Sequence, residues 1–382
     1  MSFAFTDTQL AVRDMAEAFA REEIAPSALQ WDEEKVLPLD VLRRAAALGM
    51  AAIYTREGRG GSGLGRFDAV LIFEALARGC PTISAFLSIH NMATWMIDRW
   101  GVEPLRAELV PKLAAMDLVA SYCLTEPGSG SDAAALSTRA RRDGDYYVVD
   151  GTKQFISGAG LSDIYVTMVR TGGEGPSGIS ALVIPKETPG ISFGANERKM
   201  GWHAQPTRSV TFDGCHVPVG NRLGEEGEGF RLAMKGLDGG RLNIAACSLG
   251  GAEAALERTL AYMKERKAFG RKLEEFQALQ FRLADMATTI EASRALLYSA
   301  ADALDRGAPD ATARIAMAKR FVTDSCFDVV DEALQLHGGY GYLAEFGIEK
   351  LVRDLRVHRI LEGTNEIMRM IVARSLLKGE MQ

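Results

Sequence analysis

The stretch Tyr122-Cys123-Leu124-Thr125-Glu126-Pro127-Gly128-Ser129-Gly130-Ser131-Asp132 alternates glycine with serine behind a proline. Such a run exposes backbone N–H groups and hydroxyls with no Cβ in the way, which suits a pyrophosphate and equally suits a tight turn. Two further glycine patterns, Gly58-x-Gly60-x-x-Gly63 and Gly173-x-Gly175-x-x-Gly178, match the dinucleotide fingerprint in letters only. Neither sits in a strand-turn-helix unit with a downstream acidic ribose ligand, and 39 glycines make chance matches ordinary, so both are read as loops. The histidines His90, His203, His216, His337 and His358 form no HExxH and no i, i+4 pair, and the cysteines Cys80, Cys123, Cys215, Cys247 and Cys326 form no CxxC. No metal site and no disulfide framework is expected, and each histidine is read as structural. Among 50 acidic residues, residue type alone singles out no general base.

The elements that must position these residues come in blocks. Thr6 with Gln9 reads as a capping box, followed by Leu10, Met15, Phe19 and Ile24 at roughly helical spacing. Helices are also expected over about 41–48 and 67–77, with Gly49 and Gly79 as the residues that end them, and over 86–100. From about Ala120 the pattern turns to short β-rich runs. Tyr146 to Val149 followed by Asp150-Gly151 reads as a hairpin signal, repeated at Val210, Phe212 and Asp213-Gly214, with strands at 164–166 and 179–184. Helices return over about 230–264, 276–305, 311–336 and 365–377. Strands segregated from helices disfavour a doubly wound sheet. The expected division is 1–118 helical, 119–227 β and 228–382 helical, a multidomain α+β chain.

The 382 residues are 47% hydrophobic and 25% charged, as in a globular protein, and long enough for two or three domains and a deep cleft. A net charge of −6 with no long basic run disfavours nucleic acid, and the most apolar stretch, 83–97, is interrupted by Ser88, His90 and Asn91, which disfavours membrane insertion. The opening MSFAFTDTQL lacks a secretory or transit layout, so a bacterial cytoplasmic location is expected.

Four segments in order, YCLTEPGSGSD (122–132), RKAFG (266–270), QLHGG (335–339) and EGTN (362–365), resemble the acyl-CoA dehydrogenase family, and the likeness runs from end to end. It implies an N-terminal helical domain, a middle β-barrel-like domain and a C-terminal four-helix bundle, usually assembled as a homotetramer. It also implies FAD as cofactor, an acyl-CoA as substrate and an electron-transferring flavoprotein as acceptor. SIHNMATWMID (88–98), FISGAG (155–160), GLDGGRLNIAACSLG (236–250) and LQLHGGYGYL (334–343) most resemble members acting on short branched acyl groups. The implied reaction is isobutyryl-CoA to methacrylyl-CoA, as in valine breakdown. 2-Methylbutyryl-CoA and short straight-chain acyl-CoA are the alternatives. An acyl-CoA oxidase on the same scaffold is disfavoured because the chain shows no long C-terminal extension, and a non-catalytic FAD-binding assembly protein would need no base.

Removing an α-proton and a β-hydride from adjacent carbons needs a base on one side and an acceptor on the other. The resemblance assigns the base to Glu362, just before a helix expected near Thr364, with its backbone N–H and a flavin hydroxyl as donors to the thioester oxygen. A minority of the family carries the base on a helix immediately before an arginine matching Arg241; that position here is Gly240. For FAD it implies Tyr122, Cys123, Leu124, Thr125, Gly130 and Ser131; Phe155, Ile156 and Ser157 against the flavin ring, where many relatives carry Trp and Thr at the outer two positions; and Thr364, Asn365 and Glu366 by the adenosine. Arg266 with Phe276 would reach the diphosphate, and Gln277 with Gln335, Leu336, His337, Gly338 and Gly339 would reach it from a neighbouring subunit. Ser131, Asp238, Arg241, Glu362 and Arg374 match substrate positions. Tyr340 and Tyr342 either wall the acyl pocket or pack the turn.

Overall fold

The computed structural model describes residues 5–381. The N-terminal third is helical: α1 (Asp7–Phe19), α2 (Ala28–Glu34), α3 (Leu39–Ala47), α4 (Arg66–Gly79), α5 (Pro81–Trp100) and α6 (Glu103–Ala114). The capping box at the start of α1 forms as expected, Thr6 accepting from the Gln9 N–H while the Gln9 side chain accepts from the Thr6 N–H. Gly49 does follow the end of α3 with φ +80. Gly79 does not end α4 in the same way: it is the last helical residue and Cys80 caps it, extended.

Strands β1 (Ala120–Cys123), β2 (Arg139–Asp143), β3 (Tyr146–Ser157), β4 (Ile164–Arg170), β5 (Ile179–Pro185), β6 (Ile191–Phe193), β7 (Thr207–Pro218) and β8 (Arg222–Leu223) form one sheet. Its hydrogen-bonded order is β6-β7-β3-β2-β4-β5-β8, with β1 added parallel to β4. β4 and β5 are buried along nearly their whole length because helices cover one face of the sheet and a separate apolar cluster fills the other. The two Asp-Gly hairpin expectations fail. β3 continues through Asp150-Gly151 and β7 through Asp213-Gly214, and the pair face each other at a register shift where Gly151 (φ +146) and Gly214 (φ +60) bend the strands. The Asp150 carboxylate accepts the Gly214 N–H at 2.7 Å, so both dipeptides build a bulge rather than a reversal. The β2–β3 reversal lies instead at Gly144-Asp145.

Beyond the sheet come α7 (Gly229–Glu265), the small hairpin β9 (Lys267–Ala268) and β10 (Arg271–Lys272), α8 (Gln277–Asp305), α9 (Ala311–His337), α10 (Ile348–Arg356) and α11 (Asn365–Leu377). The sequence reading gives no helix at α2, α6 or α10. The 58–63 and 173–178 glycine patterns fall in loops with single short 3-10 turns, as read from the sequence. One apolar core joins the helices of both ends of the chain: Phe73 and Leu76 of α4 and Phe86 of α5 pack in the same cluster as Leu249 of α7 and Val322 of α9. Burial of these side chains clamps α7 between the N-terminal helices and the bundle, which fixes the element that carries most of the site. Among the described residues, no helix is long and apolar enough to cross a membrane.

Candidate functional site

A cavity of about 730 Å³ opens where the sheet, α5, α7 and α11 meet. On α7, Phe230, Met234, Leu237, Arg241 and Ile244 line it at helical spacing, and on α11 Ile367, Met370, Ile371 and Arg374 do the same. Phe230 to Ile244 spans roughly 21 Å of helix, enough for a long slot rather than a cup. Arg374 and Ser131 are exposed at one end, while Ile244 and Trp202 are buried at the other. Ala85, Ser88, Ile89 and Met92 of α5 form the remaining wall.

Glu362 sits at the inner end with φ +56, followed by Gly363 at φ +88. Two successive left-handed residues turn the chain sharply into α11, whose N-cap is Thr364, its hydroxyl accepting the Ile367 N–H at 3.3 Å. A left-handed glutamate is costly and persists only where its surroundings over-determine it. Here they do. Arg241 Nε donates to the Glu362 carbonyl at 3.1 Å, Arg241 Nη1 pairs with Asp238 at 2.9 Å, and Thr312 donates to the other Asp238 oxygen at 2.9 Å. Lys319 Nζ donates to the Gly363 carbonyl at 2.8 Å. The carboxylate lies against Gly240, where an added Cβ would stand 2.5 Å from Glu362 Oε2. Burial pushes the Glu362 carboxyl up to about 7, against the pull of Arg241 and Lys319. A half-buried carboxyl with one oxygen shut off from solvent and a pKa near neutrality, on a cavity wall, is equipped to take a proton from a bound carbon acid.

The opposite wall is the end of β3. A second register shift against β7, between Lys153 and Ile156, places Phe155 in the left-handed region (φ +59), where it is 63% exposed; Phe155, Ile156 and Ser157 all border the cavity, with the Ile156 side chain packed into the sheet core between the other two. Gln205, itself buried, donates from its amide to Ser157 Oγ at 3.1 Å. The serine-glycine run is a tight turn, closed by reciprocal Glu126 and Ser129 backbone bonds at 2.9 and 3.1 Å. Beneath it Glu126 takes hydrogen bonds from Lys153 Nζ at 2.7 Å and from the Ser137 and Thr138 N–H groups at 2.6 and 2.9 Å. Burial acts to raise the Glu126 carboxyl, yet Lys153 and these donors bring it down to about 2. The turn's outer side, Gly130 to Asp132, faces the cavity. Three buried polar atoms around the cavity, Tyr122 Oη, Trp202 Nε1 and Glu362 Oε2, have no hydrogen-bond partner within the described chain.

Of the residues singled out in the sequence, Tyr122, Leu124, Thr125, Gly130, Ser131, Phe155, Ile156, Ser157, Arg241, Glu362 and Arg374 line this one cavity. Cys123 does not: strand alternation turns it into the sheet core. Asp238 acts behind Arg241. Asn365 is buried beside α9, accepting from Lys319 at 2.9 Å and donating to Asp324 at 2.8 Å, and Glu366 is an exposed first-turn acid. A second group lies at the far end of α7, roughly 38 Å along the helix from Arg241. There Arg266 is exposed over the Tyr340 ring at 5.1 Å, Phe276 is half-buried under Arg271, and Gln277, Gln335, Gly338 and Gly339 are exposed. Leu336 is buried, and His337 stacks on Tyr262 at 4.4 Å with Nδ1 2.8 Å from the Ala333 carbonyl, which holds the ring rather than freeing it for proton transfer. Tyr340 and Tyr342 pack or protrude at this end and do not wall the cavity. A single chain therefore does not bring Arg266 or the 335–339 turn to the cavity. The sequence reading missed Trp202, Gln205, Lys319 and the α5 wall as site residues. Only Lys319 carries a local signal, a lone lysine on the apolar stripe Ile315, Ala316, Val322 and Cys326 of α9.

Three family models cover nearly the whole chain: the acyl-CoA dehydrogenase N-terminal domain over 6–117, the middle domain over 121–215 and the C-terminal domain over 227–377. The chain belongs to the acyl-CoA dehydrogenase family. It is 53% identical over 99% of its length to the mitochondrial isobutyryl-CoA dehydrogenase of Dictyostelium discoideum, covering 91% of that protein. Among solved structures, butyryl-CoA dehydrogenase from Megasphaera elsdenii superposes with a TM-score of 0.95 at 36% identity, over 99% of this chain and 100% of that one. The FAD complex of PigA superposes with a TM-score of 0.94 at 30% identity, over 98% and 99%. Within this acyl-CoA dehydrogenase the cavity thus runs between the sheet and the two helical segments that the family models delimit.

Proposed function

We propose that this chain is an FAD-dependent dehydrogenase that converts a short branched acyl-CoA, isobutyryl-CoA, to its 2-enoyl-CoA, with Glu362 as the base. The observation that carries the reading is a carboxylate with Oε2 buried, pushed up to about 7, sharing one slot with Phe155, Ile156 and Ser157. The residues fit a flavin. Tyr122 and Trp202 offer buried donors without partners to a ring system rich in acceptors. Gly130 lines the cavity and an added Cβ there would meet nothing of this chain within 4 Å, which leaves room beside the turn for a phosphate. FAD when bound supplies the hydride acceptor. The protein does the rest: Glu362 removes the α-proton, its backbone N–H is the proposed donor to the thioester oxygen, Arg241 and Asp238 lock the base's turn, and Arg374 with Ser131 stands at the open end where CoA would enter.

The apolar inner end, with Leu237, Ile244, Leu361 and Met92, suits a compact acyl group, and the 53% identity to an isobutyryl-CoA dehydrogenase supports the branched one, an acyl group of the kind valine breakdown yields. An electron-transferring flavoprotein is the proposed acceptor. A homotetramer is supported by the far end of α7, where Phe269 (97% exposed) and Tyr342 (80%) stand beside Arg266 and the 335–339 turn, the residues proposed to reach a neighbour's FAD.

The test is anaerobic bleaching of the flavin by isobutyryl-, 2-methylbutyryl-, isovaleryl-, butyryl- and octanoyl-CoA. Isobutyryl-CoA is expected to bleach fastest, with neighbours differing by one methylene within roughly 10- to 200-fold. Fastest bleaching by a straight chain discards the branched substrate, and no bleaching by any of them discards the dehydrogenase. The base adds a pH prediction. Because Glu362 must be ionised to accept a proton and burial places it at about 7, kcat/KM falls as pH drops through 7, approaching tenfold per unit below it. A profile flat down to pH 5 contradicts the assignment.

A further inference from the structure

Lys319 is a buried cation beside the site that the reaction as outlined leaves unused. It sits mid-helix on the apolar stripe of α9, fully buried, and its two partners are neutral oxygens, the Gly363 carbonyl at 2.8 Å and Asn365 Oδ1 at 2.9 Å. A buried ammonium without a carboxylate in direct contact is unfavourable for folding, so its retention calls for a role. Asn365 is itself fixed, donating to Thr323 at 3.0 Å and Asp324 at 2.8 Å, and it opens α11 directly after the turn that carries Glu362. Arg241 grips the same turn from α7 through the Glu362 carbonyl. Two consecutive carbonyls, those of the two left-handed residues, thus each accept from a different buried cation.

We propose that Lys319 is a positioning residue for Glu362: its ammonium pins the Glu362–Gly363 turn by the Gly363 carbonyl and places behind it the positive charge against which the carboxylate ionises. The inference rests on Glu362 being the base. The charged and titratable groups around the pair are Arg241 with Asp238 on α7, Tyr122 on β1, Tyr54 after α3, Asp324 on α9, His358 before α11 and Glu366 on it. Burial lowers Lys319 to about 7 while Glu362 acts to raise it, and Lys319 acts to lower Glu362, so each charge favours the other.

The experiment uses the FAD-loaded enzyme and 3-thiabutyryl-CoA, whose α-carbon is acidic and whose sulfur replaces the carbon that would give up a hydride. Deprotonation by Glu362, read as the long-wavelength absorbance of the enolate, is titrated with pH in the wild type, Lys319→Met and Lys319→Gln. The glutamine retains an amide donor for the Gly363 carbonyl, which keeps a folded variant without the charge. Both variants are expected to shift the midpoint upward by about one pH unit, so that one unit below the wild-type midpoint the enolate fraction falls about tenfold, with flavin content unchanged. Midpoints within about 0.2 unit of wild type in folded variants would show that Lys319 only fills space and would overturn the proposal. Failure of the wild type itself to deprotonate the analogue would instead remove Glu362 as the base.

Discussion

Glu362→Gln is expected to abolish turnover while leaving the flavin bound. Glutamine has the shape of glutamate, keeps the side chain length that reaches Gly240, and leaves intact the backbone contacts of the turn, the Arg241 bond to the residue 362 carbonyl and the Lys319 bond to Gly363. What it removes is the basic oxygen. No second carboxylate lines the inner end of the cavity to replace it; the other acid on the lining, Asp132, lies on the exposed serine-glycine turn. General-base contributions run to roughly 10²- to 10⁴-fold, and the activated carbon acid here has no other acceptor, so a loss of at least about 10³ in the rate of anaerobic flavin reduction by isobutyryl-CoA is expected. The measurement pairs that rate with FAD stoichiometry and the thermal midpoint. Removing a buried charge that is only partly compensated is not expected to lower the midpoint, because the neutral amide needs less solvation than the carboxylate. Near-normal reduction by this variant would sink the base assignment, and with it the dehydrogenase mechanism.

The helices with clear local signals were legible, the Thr6 box starting α1 and Thr364 capping α11 where expected, whereas the short α2, α6 and α10 were not. The sheet was legible as strands but not as connections. Asp150-Gly151 and Asp213-Gly214 carry the strongest short-range hairpin signal, yet they sit opposite each other in long strands, and the hydrogen bond from Gly214 to Asp150 that makes them a bulge is a contact between residues far apart in sequence. The same holds for the site. The register shift that sets Phe155 in the left-handed region beside the cavity depends on β7, and nothing in residues 150–160 announces it. Glu362 is one acid among many until α7 brings Arg241 to its carbonyl and α9 brings Lys319 to that of Gly363. The resemblance named Glu362, which the chain brings to the cavity wall, but it also named Cys123, which lies in the sheet core, and Arg266, which lies far from the cavity beside the 335–339 turn that the resemblance gives to a neighbouring subunit. Motifs carry over positions, whereas cavity walls are made by distant elements meeting.

Gly240→Ala gives the sharpest separation between stability and activity. In the middle of a 37-residue helix, alanine is the better helix former by about 0.5–1 kcal/mol, and Gly240 has no positive φ that would require glycine. The atoms nearest the added methyl are those at the end of the Glu362 side chain, 2.5 Å away for Oε2 and 2.8 Å for Cδ. That end is flexible, so the fold yields cheaply by moving the carboxylate, and the thermal midpoint is expected to hold or rise slightly. The base, however, leaves its place on the cavity wall. A displacement of about 1 Å from the productive geometry costs on the order of a hundredfold in rate. The expected result is therefore an enzyme at least as stable as the wild type, loaded with flavin, whose kcat has fallen about 100-fold. Normal kcat in this variant would mean that the carboxylate works from elsewhere in the cavity, and a large loss of stability would mean that Glu362 cannot move and that Gly240 is required by packing rather than by the base. Glycine at 240 is on this argument a catalytic requirement met by the absence of a side chain: helix α7 gives up propensity at one position so that the carboxylate of a different segment can occupy the space.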